Sequence, residues 1–551
     1  MILKVKYKNI SGYHITAYLF LIVCFVFYAF FYPYHLYFIE QMQLFMLTPD
    51  HFYSYFSKPA SISCYLGDFF TQFYYLKTGG AVVITFSLFL LWFILQKLIR
   101  RFSVKKHFSL ISLLTIVLIS YLHSDLAYTL ASTVALILTV ISGLLYTNIP
   151  TKTIRMAIGL IYLPVFYILV GAYIFVLVLI IIIYELVNFN KKPALSFVYA
   201  IVLLIFSIIF PLFARSYYYV TIQQAFTYPN SKEIKAMSDF FLEKLLSLDS
   251  EWYFNHPEKT LELAEKYQLK NPIASYYYNL AISKNNLLPE KLMSGYQPGV
   301  KGLFIPIDPE QNYMSIAFSN EIYYLMGDLN EAQHAVLLAT IFSPKCQSSR
   351  LMRRLLEINI VNGEYAVAEK YIKMLGQTMF HSKWANHMKR FLYNEQECSK
   401  SKWIQEKRNQ YPENDLLKAT NNDFLQTLHH LLENHPENKI VSDYLLCFYL
   451  MQKDIDAFSL TLIDGYKNNH IESLPEIYQE ALMIYFARNP QNEDRKLFRF
   501  SKEVVSKFAD YTRQYEQNSG NGEPLQKVYG KTYWFFYHYA AFKPKGENEK
   551  E

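Results

Sequence analysis

From residue 156 to residue 184 the chain carries no charged side chain, 29 residues drawn mostly from Ile, Leu, Val, Phe, Tyr and Ala. Such a run belongs in hydrocarbon. As one helix it would be about 43 Å long at roughly 1.5 Å per residue, against about 30 Å of hydrocarbon core. It is too long for one upright crossing and tight for two, so the place where it bends decides the layout around it.

Other apolar runs flank it. Spans are expected near residues 14–33, 79–97, 107–122, 126–147, 153–169, 171–189 and 195–213, with the long run interrupted between Pro164 and Gly171, two residue types that favour a break. Four basic clusters lie between them: Lys4/Lys6/Lys8, Lys97/Arg100/Arg101/Lys105/Lys106, Lys152/Arg155 and Lys191/Lys192. Lys and Arg accumulate in short cytoplasmic loops, and seven spans put all four clusters inside. The N-terminus is then cytoplasmic and everything after residue 215 faces outward. If the long run were a single tilted helix, Lys191 and Lys192 would lie outside and the remainder inside.

Charge divides the chain at the same place. Residues 1–215 hold 15 Lys and Arg against five acids, a net of +10; the remaining 38 basic and 41 acidic residues net −3 of the whole chain's +7. The positive charge sits in short clusters between apolar runs, which excludes a nucleic-acid interface. The first apolar run continues through Phe30, Phe31 and Tyr32 without a small-residue cleavage site, so it is expected to remain as a span. Five cysteines without a C-x-x-C pair indicate neither a disulfide framework nor zinc. Gly530-Lys531-Thr532 lacks the earlier glycine of a phosphate loop, Leu525 standing there. His429, His430, Glu433 and His435 form HHLLENH, whose adjacent histidines point to different helix faces, so no metal is expected. No cofactor is indicated. Apart from Glu185 the spans carry no charged residue for a midplane ion or substrate site, which argues against a transporter.

The first outward loop, residues 33–78, is rich in Tyr and Phe and holds Glu40, Asp50, His51 and Asp68. Aromatic rings favour the bilayer interface, so short amphipathic helices lying on the membrane are expected. The plain reading of these acids, and of His123 and Asp125, is that they are solvated loop residues. Glu40 is distinguished by apolar flanks one or two turns after the first span, a setting that suits a general base.

After residue 215 the pattern becomes amphipathic at helical spacing, so the fold class is all-α: a bundle of about seven transmembrane helices (1–215), a soluble helical-repeat domain (216–517) and a linker with an aromatic end (518–551). Tyr323, Gly327, Ala332, Ala339 and Pro344 match the tetratricopeptide pattern, and Gly363, Tyr365 and Ala368 repeat it 36 residues later, against a period of about 34. The best repeats therefore lie near 313–380, with degenerate ones around 275–291 and 444–462. A stack of such hairpins has a concave face that binds peptides or proteins, and it can equally serve only to support the membrane block. Residues 288–309, punctuated by Pro and Gly, read as a long irregular loop. The cluster YGKTYWFFYHYAAF after the NSGNGEP linker is expected to dock as a closing helix.

Two resemblances follow. The layout of the first 215 residues resembles the membrane module of GT-C type glycosyltransferases, which implies a lipid-linked sugar as donor and Glu40, or less favourably Asp50, as the base. This chain departs from that pattern in having no adjacent Asp-Glu pair and no D-x-D in the first loop. The whole chain, through QLFMLTPDHF and LGDFFTQFYY in that loop and YGKTYWFFYHY near the end, resembles an uncharacterised family of bacterial envelope proteins. The leading expectation is thus a bacterial inner-membrane protein that uses a periplasmic tetratricopeptide-like domain to bind protein partners, with the glycosyltransferase as the alternative.

Overall fold

In hydrocarbon a backbone can satisfy its polar groups only within itself, so the uncharged runs must be helical. The computed structural model describes residues 12–102, 109–187, 193–230, 234, 238–308, 313–343, 346–412, 414, 416, 423–468, 474–518 and 521–540. Among them every regular element is a helix. Pro344, Lys4, Lys6, Lys8, Lys105, Lys106, Lys191 and Lys192 lie outside the described residues.

Five stretches are long and apolar enough to cross a membrane, His14–Phe31, Gly79–Arg101, Leu130–Thr147, Lys152–Val187 and Ala194–Tyr218, and a shorter apolar helix covers Leu110–Leu122. The protein is a multi-pass membrane protein.

By its contacts the chain forms two units. The first holds Met1–Glu243 together with Gln347–Arg350 and Ile372–Met388; the second holds Lys244–Cys346, Leu351–Tyr371 and Lys389–Glu551.

In the first unit the long uncharged run is a hairpin. Its helices are Lys152–Val170 and Ile174–Val187, joined by a short 3-10 turn at Gly171–Tyr173. Arg155 Nε donates to Glu185 Oε1 at 2.5 Å. Thirty residues of unbroken helix would hold these groups about 45 Å apart. The chain passes through Pro164 without interruption and turns instead at Gly171, whose φ of +62° is open to glycine, and where an added Cβ would meet Ala60 Cβ at 2.9 Å and the Tyr228 carbonyl oxygen at 2.5 Å.

Contacts among the apolar helices sort the bundle into two ends. Arg100, Arg101, Lys152 and Arg155 share one end, where Tyr184 donates to the Thr147 carbonyl (3.2 Å) and Lys152 to Ser196 (2.9 Å). At the other end Tyr32 donates to the Ser124 carbonyl (3.1 Å), Tyr167 to the Ala225 carbonyl (2.9 Å) and Ala172 N to the Tyr228 carbonyl (2.8 Å). The 33–78 loop belongs to this second end. Its helix Ser61–Thr71 packs on Leu130–Thr147 so closely that a Cβ on Gly67 would lie 2.5 Å from Ala131 Cα. Small residues permit such backbone approach.

The second unit is built from antiparallel helix pairs, including Tyr313–Met326 with Leu329–Phe342 and Lys439–Gln452 with Ile455–Lys467. Tyr323, Ala332, Ala339 and Ala368 are buried, while Gly327 (φ +97°) and Gly363 (φ +77°) occupy left-handed turns between helices. Those glycines serve the turn rather than the packing of helix on helix. Lys453 (φ +62°) takes the same place before Ile455–Lys467, and Asp454 caps that helix as Asp328 caps Leu329–Phe342.

Residues 288–308 depart from the irregular loop expected over 288–309, Pro309 lying outside the described residues. They contain short helical turns at Leu288–Lys291, Leu292–Ser294 and Gly299–Gly302, and Leu303, Phe304, Ile305 and Ile307 are buried. Phe304 stacks on Phe424 with centroids 4.6 Å apart and lies 5.8 Å from Tyr444 and 6.2 Å from Phe448. The prolines and glycines shape a plug of the core.

The aromatic helix Tyr533–Tyr539 is anchored by Trp534 Nε1 donating to the Glu480 carbonyl (2.8 Å), Tyr533 Oη to the Leu450 carbonyl (2.9 Å) and Tyr533 N to Glu480 Oε2 (2.6 Å). Burial pushes the Glu480 carboxyl up from 4.5 to about 8. The folded state therefore holds a proton that the unfolded chain has lost. The stability this contributes is complete below about pH 4.5 and is lost as pH rises through 8. Glu480→Gln keeps an oxygen for Tyr533 N and has nothing to titrate. The melting temperature of wild type relative to Glu480→Gln should fall between pH 5 and pH 9; equal differences at both would refute the assignment.

Candidate functional site

Glu40 stands in the last turn of Tyr34–Gln41, a helix that follows the first apolar helix after Tyr32 and Pro33. The first N–H groups of this helix, Tyr34 N and His35 N, donate to the Glu243 carboxylate at 2.6 and 2.9 Å. A carboxylate at a helix N-terminus satisfies orphan donors and complements the dipole. Its neighbour His35 is also buried, with Nε2 3.2 Å from the His123 carbonyl oxygen, and His123 Nε2 lies 2.8 Å from Thr133 Oγ1. The solvated reading fails for Glu40 and His123, which are 4 % and 3 % exposed. It holds for Asp50, exposed in the first turn of Pro49–Ser54. Asp68 accepts from Tyr55 Oη at 2.6 Å.

The partner of Glu40 comes from far along the chain. His381 Nε2 lies 3.1 Å from Glu40 Oε1 across 341 residues of sequence, and His381 is itself 4 % exposed. Its position is set by Thr378 Oγ1, which accepts from His381 N at 3.1 Å, and by Tyr75, whose ring meets the imidazole edge-on at 5.3 Å. Residues 41–47 are held between the two returning segments of the first unit. Ser348 Oγ donates to the Gln41 carbonyl (2.7 Å), Ser349 N to the Gln43 carbonyl (2.9 Å), Arg350 to Gln41 Oε1 (3.3 Å), and Leu47 N to the Gln377 carbonyl (2.7 Å).

A narrow crevice opens on the pair, lined also by Gln43, Phe45, Gln72, Ser349, Thr378 and Phe380, with room for roughly one water molecule or hydroxyl group. A buried carboxylate touching an imidazole, with amides and hydroxyls around it, can bind a hydroxyl and move its proton. Among the described residues no three His, Cys, Asp or Glu gather as a metal would require. His429, His430 and His435 each take a different neighbour: Tyr449 Oη, the Asn414 carbonyl and the Tyr411 carbonyl.

A family described as Family of unknown function (DUF6057) matches residues 6–540. The chain belongs to DUF6057. No curated protein and no solved structure matches it. In this DUF6057 protein, Glu40 was recognisable in the sequence from its apolar flanks, whereas His381, Thr378 and Ser349 carried no local signal. HSKW around His381 matches no motif, and only folding brings it to the first loop.

Proposed function

We propose that this DUF6057 protein is a seven-crossing inner-membrane protein of the bacterial envelope, and that the Glu40 crevice is the catalytic centre of a membrane transferase. Its donor is a lipid-linked sugar and its acceptor a hydroxyl, of which the crevice has room for the hydroxyl alone. The observation that carries this reading is the buried Glu40–His381 pair, at the end of the bundle opposite Arg100, Arg101, Lys152 and Arg155. A hairpin at 152–187 with a short crossing at 109–122 makes seven spans, and the basic end then lies inside. The C-terminus faces the periplasm: a reporter active only outside, fused after Glu551, should be active there, and activity of an inside-only reporter instead overturns the topology. Glu40→Gln should fold and lose transfer from the lipid-linked donor. A cell-surface and protein glycan profile unchanged in that variant sinks the transferase.

A second reading, a scaffold that binds envelope proteins through the tetratricopeptide-like helices, rests on the exposed Leu337, Ile341 and Phe342 of Leu329–Phe342. Exposed apolar clusters mark interaction sites. It fails if a photo-crosslinker at position 341 captures no envelope protein in cells.

A further inference from the structure

We infer that His381, and not Glu40, is the base of this centre, and that Glu40 acts by fixing which imidazole nitrogen carries the proton. The inference rests on the transferase reading for its reaction and on the geometry for its roles. A carboxylate accepts hydrogen bonds and donates none, so the 3.1 Å contact from His381 Nε2 to Glu40 Oε1 places the ring proton on Nε2. The lone pair is then on Nδ1, which is buried and has no hydrogen-bond partner. An imidazole held by a carboxylate on one nitrogen, with the other left basic, is the general form of an oriented base.

The surroundings fit that assignment. The Thr378 bond fixes the backbone at His381, and the Tyr75 ring packs edge-on beside the imidazole that faces Glu40. The remaining polar residues lining the crevice are Gln43, Gln72, Ser349 and Thr378, whose donors are held by the carbonyls of Asp68 (3.3 Å), Phe69 (3.2 Å), Gln41 (3.3 Å) and Leu375 (2.8 Å). All are uncharged, as suits a sugar or other polyol hydroxyl. Glu40 commits Oε1 to His381, whereas Nδ1 of the imidazole has no hydrogen-bond partner. In the transfer step Nδ1 takes the proton of the acceptor hydroxyl as that oxygen bonds to the sugar carbon of the donor. The bond from that carbon to the lipid phosphate breaks, and its electron pair leaves on the phosphate oxygen. The imidazolium so formed faces the Glu40 carboxylate and then passes its proton to water or to the released phosphate.

The test uses the full chain in detergent micelles with 15N-labelled histidine. The His381 resonances are identified by their loss in His381→Gln, a variant whose amide can still reach Glu40. The expected spectrum has a protonated Nε2 and a bare Nδ1. Adding octyl glucoside as a hydroxyl-bearing probe should move the Nδ1 resonance, and Glu40→Ala should leave a mixture of the two tautomers. A proton on Nδ1, or an Nδ1 resonance indifferent to the glucoside, overturns the assignment. With a polyprenyl-phosphate hexose as donor, His381→Gln should transfer at least about 100-fold more slowly at unchanged melting temperature. Wild-type rates in that variant also overturn it. If the wild type itself transfers nothing while Nδ1 is bare and responds to the glucoside, the hydroxyl-binding assignment is supported and the transferase reading is the part that falls.

Discussion

Glu185→Ala is expected to remove about 3–5 kcal/mol from the stability of the membrane unit, the usual cost of leaving one member of a buried ion pair alone. The pair is deep: its side chains are 10 % and 2 % exposed at Arg155 and Glu185. Tyr146 Oη also donates to Glu185 Oε1 at 3.0 Å, Arg155 Nη1 donates to the Ile149 carbonyl at 2.9 Å, and the guanidinium lies 5.2 Å from the Tyr184 ring. With Glu185 removed, the guanidinium keeps its charge and loses its only carboxylate contact among the described residues. Replacing both partners by methionine should recover most of the loss, because no charge is then stranded. Thermal unfolding in detergent micelles measures both variants. A single variant that melts with the wild type would mean that residues 152–187 do not fold back on themselves, since on one straight helix the two positions could not interact.

Phe304→Ala is expected to cost the second unit about 3–5 kcal/mol, from lost burial, an unfilled cavity and the broken stack on Phe424. Phe304→Leu should cost considerably less, because it keeps most of the volume. Denaturant unfolding followed by the fluorescence of Trp534 reads the difference. Had residues 288–309 been an exposed loop, the alanine variant would change stability by no more than about 0.5 kcal/mol, and that outcome would remove the plug from the core.

These two sites mark where sequence reasoning reached and where it stopped. The hairpin was legible because length and charge are local quantities: a run of 29 uncharged residues has to bend, and Arg155 and Glu185 stand at its two ends. Its turn is legible only to within Pro164–Gly171, because a proline is tolerated within an apolar helix whose neighbours meet the freed carbonyl. The core role of Phe304 was hidden because Pro298, Gly299, Gly302 and Pro306 read as punctuation, while burial depends on what Phe424, Tyr444 and Phe448 do more than a hundred residues later. Glu40 drew attention as an acid in an apolar setting. Its partner could not be found, because no periodicity or spacing links residues 341 apart.

That separation also sets an order of events during synthesis. At about 5–20 residues per second, a ribosome that has finished Glu40 needs on the order of 20–70 s to reach His381. Throughout that interval the apolar helices are entering the bilayer while the acid of the first loop waits without its imidazole. The buried pair is thus absent from the nascent chain, and it closes only when the segment around residue 381 has been made and folded back onto the first loop.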